Sequence, residues 1–234
     1  MAGLPHGSHP GRRAARRFIY MLPGPHPPAP PDADTLWGSE TNQLRSQFRL
    51  QGRLGKGAYG TVVCARIRTT PNAPATACDH DQQRAIKCII MPGGFHDEIL
   101  AIRTLREIRL LRLMDHPNIV TLHGMARVAV DGHQALFLVL DFMDEDLSSL
   151  LDRQPSVPGW TVRSVMAQAL SALAHLHARQ IVHRDLKPQN VLRNRGNGVV
   201  KLCDFGMARS QDRSATRRLE AAAAALGRRP SAGV

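Results

Sequence analysis

The chain has 234 residues, 43% of them hydrophobic and 21% charged, a balance that supports a packed core and excludes a wholly disordered polymer. Lysine plus arginine outnumber aspartate plus glutamate by 31 to 19, for a formal net charge of +12. That excess is spread along the chain and only 4% of residues are aromatic, so there is little to stack on bases and no nucleic-acid partner is expected. No run of about 18 apolar residues occurs, so no membrane-spanning helix and no membrane partner are expected either.

Only four basic positions are lysine: Lys56, Lys87, Lys187 and Lys201. Against so strong a bias to arginine, a lysine that survives is worth asking about. Cys64, Cys78, Cys88 and Cys203 form no Cys-x-x-Cys pair and have no companion histidines at zinc spacing. They read as reduced thiols of a cytoplasmic or nuclear protein.

Residues 1–31 contain no acid, four arginines (Arg12, Arg13, Arg16, Arg17) and a proline-rich stretch. Prolines break the amphipathic helix that an organelle transit peptide needs, so 1–47 is expected to be a disordered extension. From Phe48 the texture changes. Apolar and β-branched runs at 49–54, 61–67 and 84–90 read as three strands, the first two joined by a glycine turn, the third preceded by a long polar loop. After Pro92-Gly93-Gly94, the residues Ile99, Ile102, Leu105, Ile108 and Leu111 recur at helical steps and are expected to share one face. Two more strands are expected near 119–122 and 136–140, with Asp131-Gly132 as the turn between them. A core-facing helix over 162–178 is expected to bury Val165, Met166, Ala169, Leu170, Leu173 and Leu176. The end, 210–234, is a basic Ala/Arg-rich tail.

Gly55-Lys56-Gly57-Ala58-Tyr59-Gly60-Thr61-Val62 is a G-x-G-x-x-G-x-V run between two strands. Glycines let backbone amides approach phosphate oxygens, and the β-branched residues that follow exclude the helix a dinucleotide fold would open here. Lys87, flanked by apolar residues in a strand, needs a partner, and Glu107 in the next helix supplies one. His183-Arg184-Asp185-Leu186-Lys187-Pro188-Gln189-Asn190 and Asp204-Phe205-Gly206 then follow in order.

With these five elements in register, the stretch 48–209 resembles a eukaryotic protein kinase. Lys187-Pro188-x-Asn190 is similar to the serine/threonine-specific form. The segments 103–112, Asp115-His116-Pro117-Asn118-Ile119 and Cys203-Asp204-Phe205-Gly206-Met207-Ala208-Arg209 resemble mitogen-activated protein kinases. Cyclin-dependent kinases share much of this, but 95–101 lacks their cyclin-helix sequence, which favours the mitogen-activated group.

The resemblance implies an α+β, bilobal protein-kinase fold, with a complete five-stranded N-lobe with one helix and a partial helical C-lobe. It implies ATP and Mg2+ as cofactors, and a protein substrate and an upstream kinase as partners. Gly55, Lys56, Gly57, Ala58, Tyr59 and Gly60 would cover the phosphates, and Lys87, paired with Glu107, would hold them. Leu54, Val62, Ala85 and Leu192 would sandwich adenine below a gatekeeper Leu140. Asp141, Phe142 and Met143 would be the hinge, with Asp146 at the ribose. Asp185 would accept the substrate hydroxyl proton, Lys187 would steady the transferred phosphate, and Asn190 and Asp204 would hold magnesium. Leu111, Leu122, His183 and Phe205 would form the apolar spine between the lobes.

After Arg209 there is no A-P-E segment, and the only tyrosines, Tyr20 and Tyr59, exclude a T-x-Y motif in the tail. The expectation is therefore a kinase domain cut short after D-F-G, marginally stable and with apolar faces such as Leu170 and Leu173 partly exposed. A catalytically inactive fragment that binds ATP or a partner as a decoy is the alternative.

Overall fold

A computed structural model describes residues 19–21, 42–57, 60–68, 82–91, 98–130, 133–211 and 221. The strands β1 (Ile19–Met21), β2 (Phe48–Gly57), β3 (Gly60–Ile67), β4 (Gln83–Met91), β5 (Leu122–Val130) and β6 (His133–Asp141) form one sheet in the order β1-β5-β6-β4-β3-β2. The five strands β2 to β6 are antiparallel, and β1 adds a parallel edge strand on β5. A short helix, α1 (Asn42–Gln47), precedes β2. Both β1 and α1 lie inside the 1–47 segment read from sequence as disordered.

Alternation along the central strands explains why this sheet is covered on both faces. On β6, Phe137 and Val139 join Ile86, Cys88, Val63 and Ala65 in one cluster, closed by Leu44 of α1. Leu136, Leu138 and Leu140 point the other way, with Ala85, Ile89 and Met91, into the larger core. A fully buried phenylalanine such as Phe137 stabilises the fold by about 2–3 kcal/mol of transfer free energy.

On that second face lies α2 (Glu98–Leu113), which buries Leu100, Ala101, Thr104, Glu107, Ile108 and Leu111. The expected apolar face is corrected: Ile99 is 64% exposed. Successive steps of three residues drift by about 60° around a helix, so five such positions cannot share one face. A second correction concerns β5. It runs over Leu122–Val130, whereas Ile119 and Val120 are buried in the crossover, Ile119 bridging Leu202. The register pairs Val130 with His133, and the expected Asp131-Gly132 turn lies outside the described residues.

The lower lobe comprises β7 (Glu145–Asp146), α3 (Leu147–Arg153), α4 (Gly159–His177), β8 (Ile181–Val182), a 3-10 turn (Pro188–Asn190), β9 (Val191–Arg193), β10 (Val200–Leu202) and β11 (Arg209–Ser210). Small sheets β10-β9-β7 and β11-β8 carry the loops of interest. Glu145, 7% exposed, accepts from Arg153, Arg193 and Arg195 and so ties α3 to β9 and the following turn.

On α4 the buried row is Val165, Ala169, Ala172 and Leu176. Met166 and Leu170, expected in the core, are 51% and 57% exposed. With Val162 they form the next row round the helix, one residue and about 100° from the buried one. Leu173, between the rows, is partly buried against the core. No described helix is long and apolar enough to cross a membrane.

Candidate active site

Between the lobes the two halves of the predicted site face one another. Lys87 rises from the middle of β4, and Glu107 from the buried face of α2. The ammonium meets both carboxylate oxygens at 2.8 Å, with the Glu107 side chain 6% exposed and that of Lys87 26%. Burial pulls the Lys87 pKa down, but the carboxylates of Glu107 and then Asp204 hold it above the ordinary lysine value. Lys87 is thus a fixed cation near Asp204.

The glycine loop leaves β2 through two bulged registers, between Leu50 and Gly52 and between Arg53 and Gly55, a distortion that re-aims the strand beside a site. A Cβ at Gly55 would meet no described atom within 4 Å, whereas a Cβ at Gly60 would collide with the Cys88 carbonyl oxygen. Gly60 is therefore demanded by the sheet, whereas no described atom crowds Gly55. Lys56 and Gly57 end β2, while Ala58 and Tyr59 lie outside the described residues. Of the predicted adenine sandwich, Ala85 is buried, Val62 and Leu192 pack against the same cluster with Leu140, and Leu54 stays 46% exposed.

The loop after β8 gathers its polar groups round one carboxylate. Lys187 Nζ donates to Asp185 Oδ2 at 2.8 Å, and Asn190 Nδ2 donates to the same oxygen at 2.9 Å and to the Asp185 carbonyl at 2.8 Å. The Lys187 hydrogen bond, outweighing burial, holds the Asp185 carboxyl below its usual range, so Asp185 is an anion at neutral pH. Because Asn190 spends its amide hydrogens on Asp185, its Oδ1 is left for a cation.

Arg184 and Asp204 both adopt left-handed backbone, with φ of 64° and 59°. Such residues cost of order 1–2 kcal/mol and cluster where surrounding contacts over-determine them. The Arg184 guanidinium donates twice to the Met207 carbonyl, at 2.9 and 2.6 Å, and Asn190 O receives Cys203 N. His183 is 2% exposed, packs its ring at a tilt against the fully buried Phe205 at 5.0 Å between centroids, and bonds the Cys203 carbonyl through Nε2 at 2.9 Å. Phe205, Leu111 and Leu122 belong to the buried core that joins the lobes, with the His183 ring against Phe205.

Asn190 and Asp204 offer hard oxygen donors, and no cluster of three or more metal-binding side chains occurs among the described residues. That donor set fits magnesium, which is usually held by one or two protein oxygens, with substrate phosphates and water completing its shell. Burial, and then the Asp204 charge, push the Cys203 thiol up to about 12. The three described cysteines are free.

Two predicted residues use their side chains for structure. Asp146 caps α3, accepting from Ser149 N at 2.8 Å. The Asp141 carboxylate accepts from Thr121 N at 2.9 Å, from His123 Nε2 at 2.6 Å and from Lys201 Nζ at 2.9 Å. Met143, on the next turn of chain, is buried. Sequence reasoning missed two residues beside the site. Arg106, neighbour of Glu107, is buried and donates to the Gly206 carbonyl at 2.9 Å, a contact 100 residues apart with no local signature. Lys201 carried a signal, its survival in a chain that otherwise uses arginine.

Comparison with known proteins agrees with this geometry. The model of the protein kinase domain matches residues 48–224, extending past Arg209. Cyclin-dependent kinase 4 of sheep and of mouse are each 40% identical over 171 residues, covering 70% of this chain and 53% of theirs. The mitogen-activated protein kinase sma-5 of Caenorhabditis elegans is 35% identical over 189 residues, 76% of this chain and 35% of that protein. The chain thus spans about half the length of the first relatives and a third of the other. The match over most of its length, on a sheet and loop arranged as described, places the chain in the protein kinase family.

Proposed function

We propose that the chain carries the nucleotide-binding and phosphoryl-transfer centre of a protein serine/threonine kinase of mitogen-activated type. The observation that supports a phosphoryl-transfer centre best is the two-oxygen pairing of Lys87 with Glu107, together with a loop in which Lys187 and Asn190 share the Asp185 carboxylate; the subgroup rests on the sequence of segments 103–119 and 203–209 alone. In this reading Glu107 holds Lys87 against the α- and β-phosphates of ATP. Asp185, kept anionic, accepts the proton of a serine or threonine hydroxyl as the hydroxyl oxygen bonds to the γ-phosphorus and the bond from that phosphorus to the β,γ-bridging oxygen breaks, so that ADP leaves, and Lys187 offsets charge on the transferring group. Magnesium bound by Asn190 and Asp204 supplies the neutralisation of phosphate charge. No covalent nucleophile is needed, because phosphoryl transfer is positioning and electrostatics.

The test is transfer of labelled phosphate from ATP to serine/threonine peptides, with Lys87→Met as control. Magnesium-dependent labelling that the control abolishes supports the reading. Subgroup is read from the partner: the relatives named for cyclin dependence predict stimulation by a cyclin, with α2 and its exposed Ile99 as the surface to meet it. The mitogen-activated reading predicts stimulation by an upstream kinase and indifference to cyclins.

A second reading is a nucleotide-binding chain that acts by occupying a partner. The exposed apolar row Val162, Met166 and Leu170 on α4 favours it. Nucleotide binding without transfer would select this reading.

A further inference from the structure

Lys201 has no role in the chemistry just described, yet it sits at the junction of three parts of the proposed nucleotide site. It lies on β10, directly opposite Leu192 of β9 in the strand register, and Leu192 is the proposed floor beneath adenine. Three residues further on is Asp204. Its ammonium reaches across to Asp141 Oδ2 at 2.9 Å and also donates to the Ile119 carbonyl at 3.4 Å. Asp141 ends β6 and begins the proposed hinge.

Beyond its β-sheet pairing with Arg84 of β4, the other hydrogen bonds of the Asp141 carboxylate and N–H come from one neighbouring segment. Thr121 N and His123 Nε2 bind its carboxylate, and its own N–H donates to Thr121 O at 3.2 Å. These tie the hinge to the start of β5, in the upper lobe. Lys201 alone carries the carboxylate to the strand that leads into D-F-G. The Asp141 and Lys201 side chains are only 19% and 16% exposed, so each charge is held largely out of water and neither is easily left unpaired. The pair is therefore a rigid strut between hinge and floor.

Resting on the nucleotide-site reading above, we propose that Lys201 is a positioning residue for the base. By holding the Asp141 carboxylate it sets the height of the hinge backbone over Leu192 and its distance from Asp204, so that base and phosphates are in register together. A hinge free to shift would still admit phosphates but would no longer select adenine by its backbone hydrogen bonds.

The experiment measures binding of fluorescent ATP, fluorescent GTP and magnesium tripolyphosphate to the 234-residue chain and to Lys201→Met, Lys201→Arg and Asp141→Asn. Lys201→Met is expected to weaken ATP about tenfold while leaving GTP and tripolyphosphate unchanged, so that the preference for ATP collapses. Lys201→Arg keeps part of the preference, because it keeps the charge but not the compact ammonium. Asp141→Asn, which removes the other end of the strut and keeps the side-chain shape, reproduces the loss. An unchanged ATP:GTP ratio in a folded Lys201→Met or Asp141→Asn chain overturns the assignment, as does a parallel loss of all three ligands, which marks general loosening of the fold. If the unaltered chain binds none of the three, the nucleotide-site reading fails first and takes this assignment with it.

Discussion

Glu107→Gln isolates the charge of the Lys87 partner while preserving its size. Breaking a buried ion pair by removing one partner costs about 3–5 kcal/mol, because the other charge is left uncompensated. Lys87 is a quarter exposed and also feels Asp204, so part of that penalty is relieved by water and by the second carboxylate. About 2–3 kcal/mol remains, which lowers the urea midpoint by about 1 M at the usual slope. Circular dichroism at pH 7 reads this directly. The double variant Lys87→Met/Glu107→Leu removes both charges and puts apolar groups in their place, and is expected to be more stable than Glu107→Gln alone. Nucleotide affinity should fall in both, since the fixed cation is lost or released. A Glu107→Gln chain within about 0.5 kcal/mol of the parent, or a double variant less stable than the single, would refute the view of Lys87 as a buried cation needing its carboxylate.

Asp185→Asn should lower phosphate transfer by at least about 100-fold while nucleotide affinity stays near that of the parent, read by labelled-phosphate transfer and by equilibrium binding. Gly60→Ala should unfold the sheet or cost several kcal/mol, because its Cβ would meet the Cys88 backbone, whereas Gly55→Ala should keep the parent melting temperature and weaken ATP; equal melting of the two variants would contradict the geometry. His116 and His175 lie 4.7 Å apart, His175 Nε2 is buried without a partner, and the pKa of each is lowered, first by burial. Lys201 and Arg179 add to this at His116; at His175 Arg179 and His116 do, against Asp115. Both rings are neutral in the fold, so their contribution to stability is complete above about pH 6.5 and is lost as pH falls through their lowered values. His175→Phe should therefore melt at the parent temperature or higher at pH 7 and lose less on acidification to pH 5.5; an unchanged pH slope would count against it.

The site was more legible than the packing around it, and the reason is locality. Asp185, Lys187 and Asn190 sit within six residues, and their hydrogen bonds to one carboxylate need only a loop and one 3-10 turn. Glu107 was predictable from a different principle: an ammonium in an apolar strand needs a counter-charge, and only a carboxylate on the next helix was within reach. Periodicity served less well. On α2 a string of three-residue steps looked like a stripe but drifts round the helix, and the face that is buried is the one that brings Glu107 to Lys87. On α4 every apolar residue fitted a helical spacing, and which row is buried depended on what the chain places against it, a tertiary fact.

The same distinction explains Asp141. The sequence places Asp141 in the expected hinge and says nothing of its side chain. In the structure three groups hold that side chain: burial pushes its pKa up, but the hydrogen bond from His123, then the charge and hydrogen bond of Lys201 and the Thr121 N–H, hold it far below the usual carboxylate range. None of those partners is within 17 residues of it in sequence. What the chain did disclose was the lysine. A composition that replaces nearly every lysine by arginine keeps one where a compact ammonium must reach a carboxylate and a carbonyl together, and a fork-shaped guanidinium serves that geometry less well. All three lysines whose side chains are described, Lys87, Lys187 and Lys201, pair with a carboxylate at the cleft or its hinge. In a chain biased toward arginine, the exceptions therefore point to the site more directly than the net charge does.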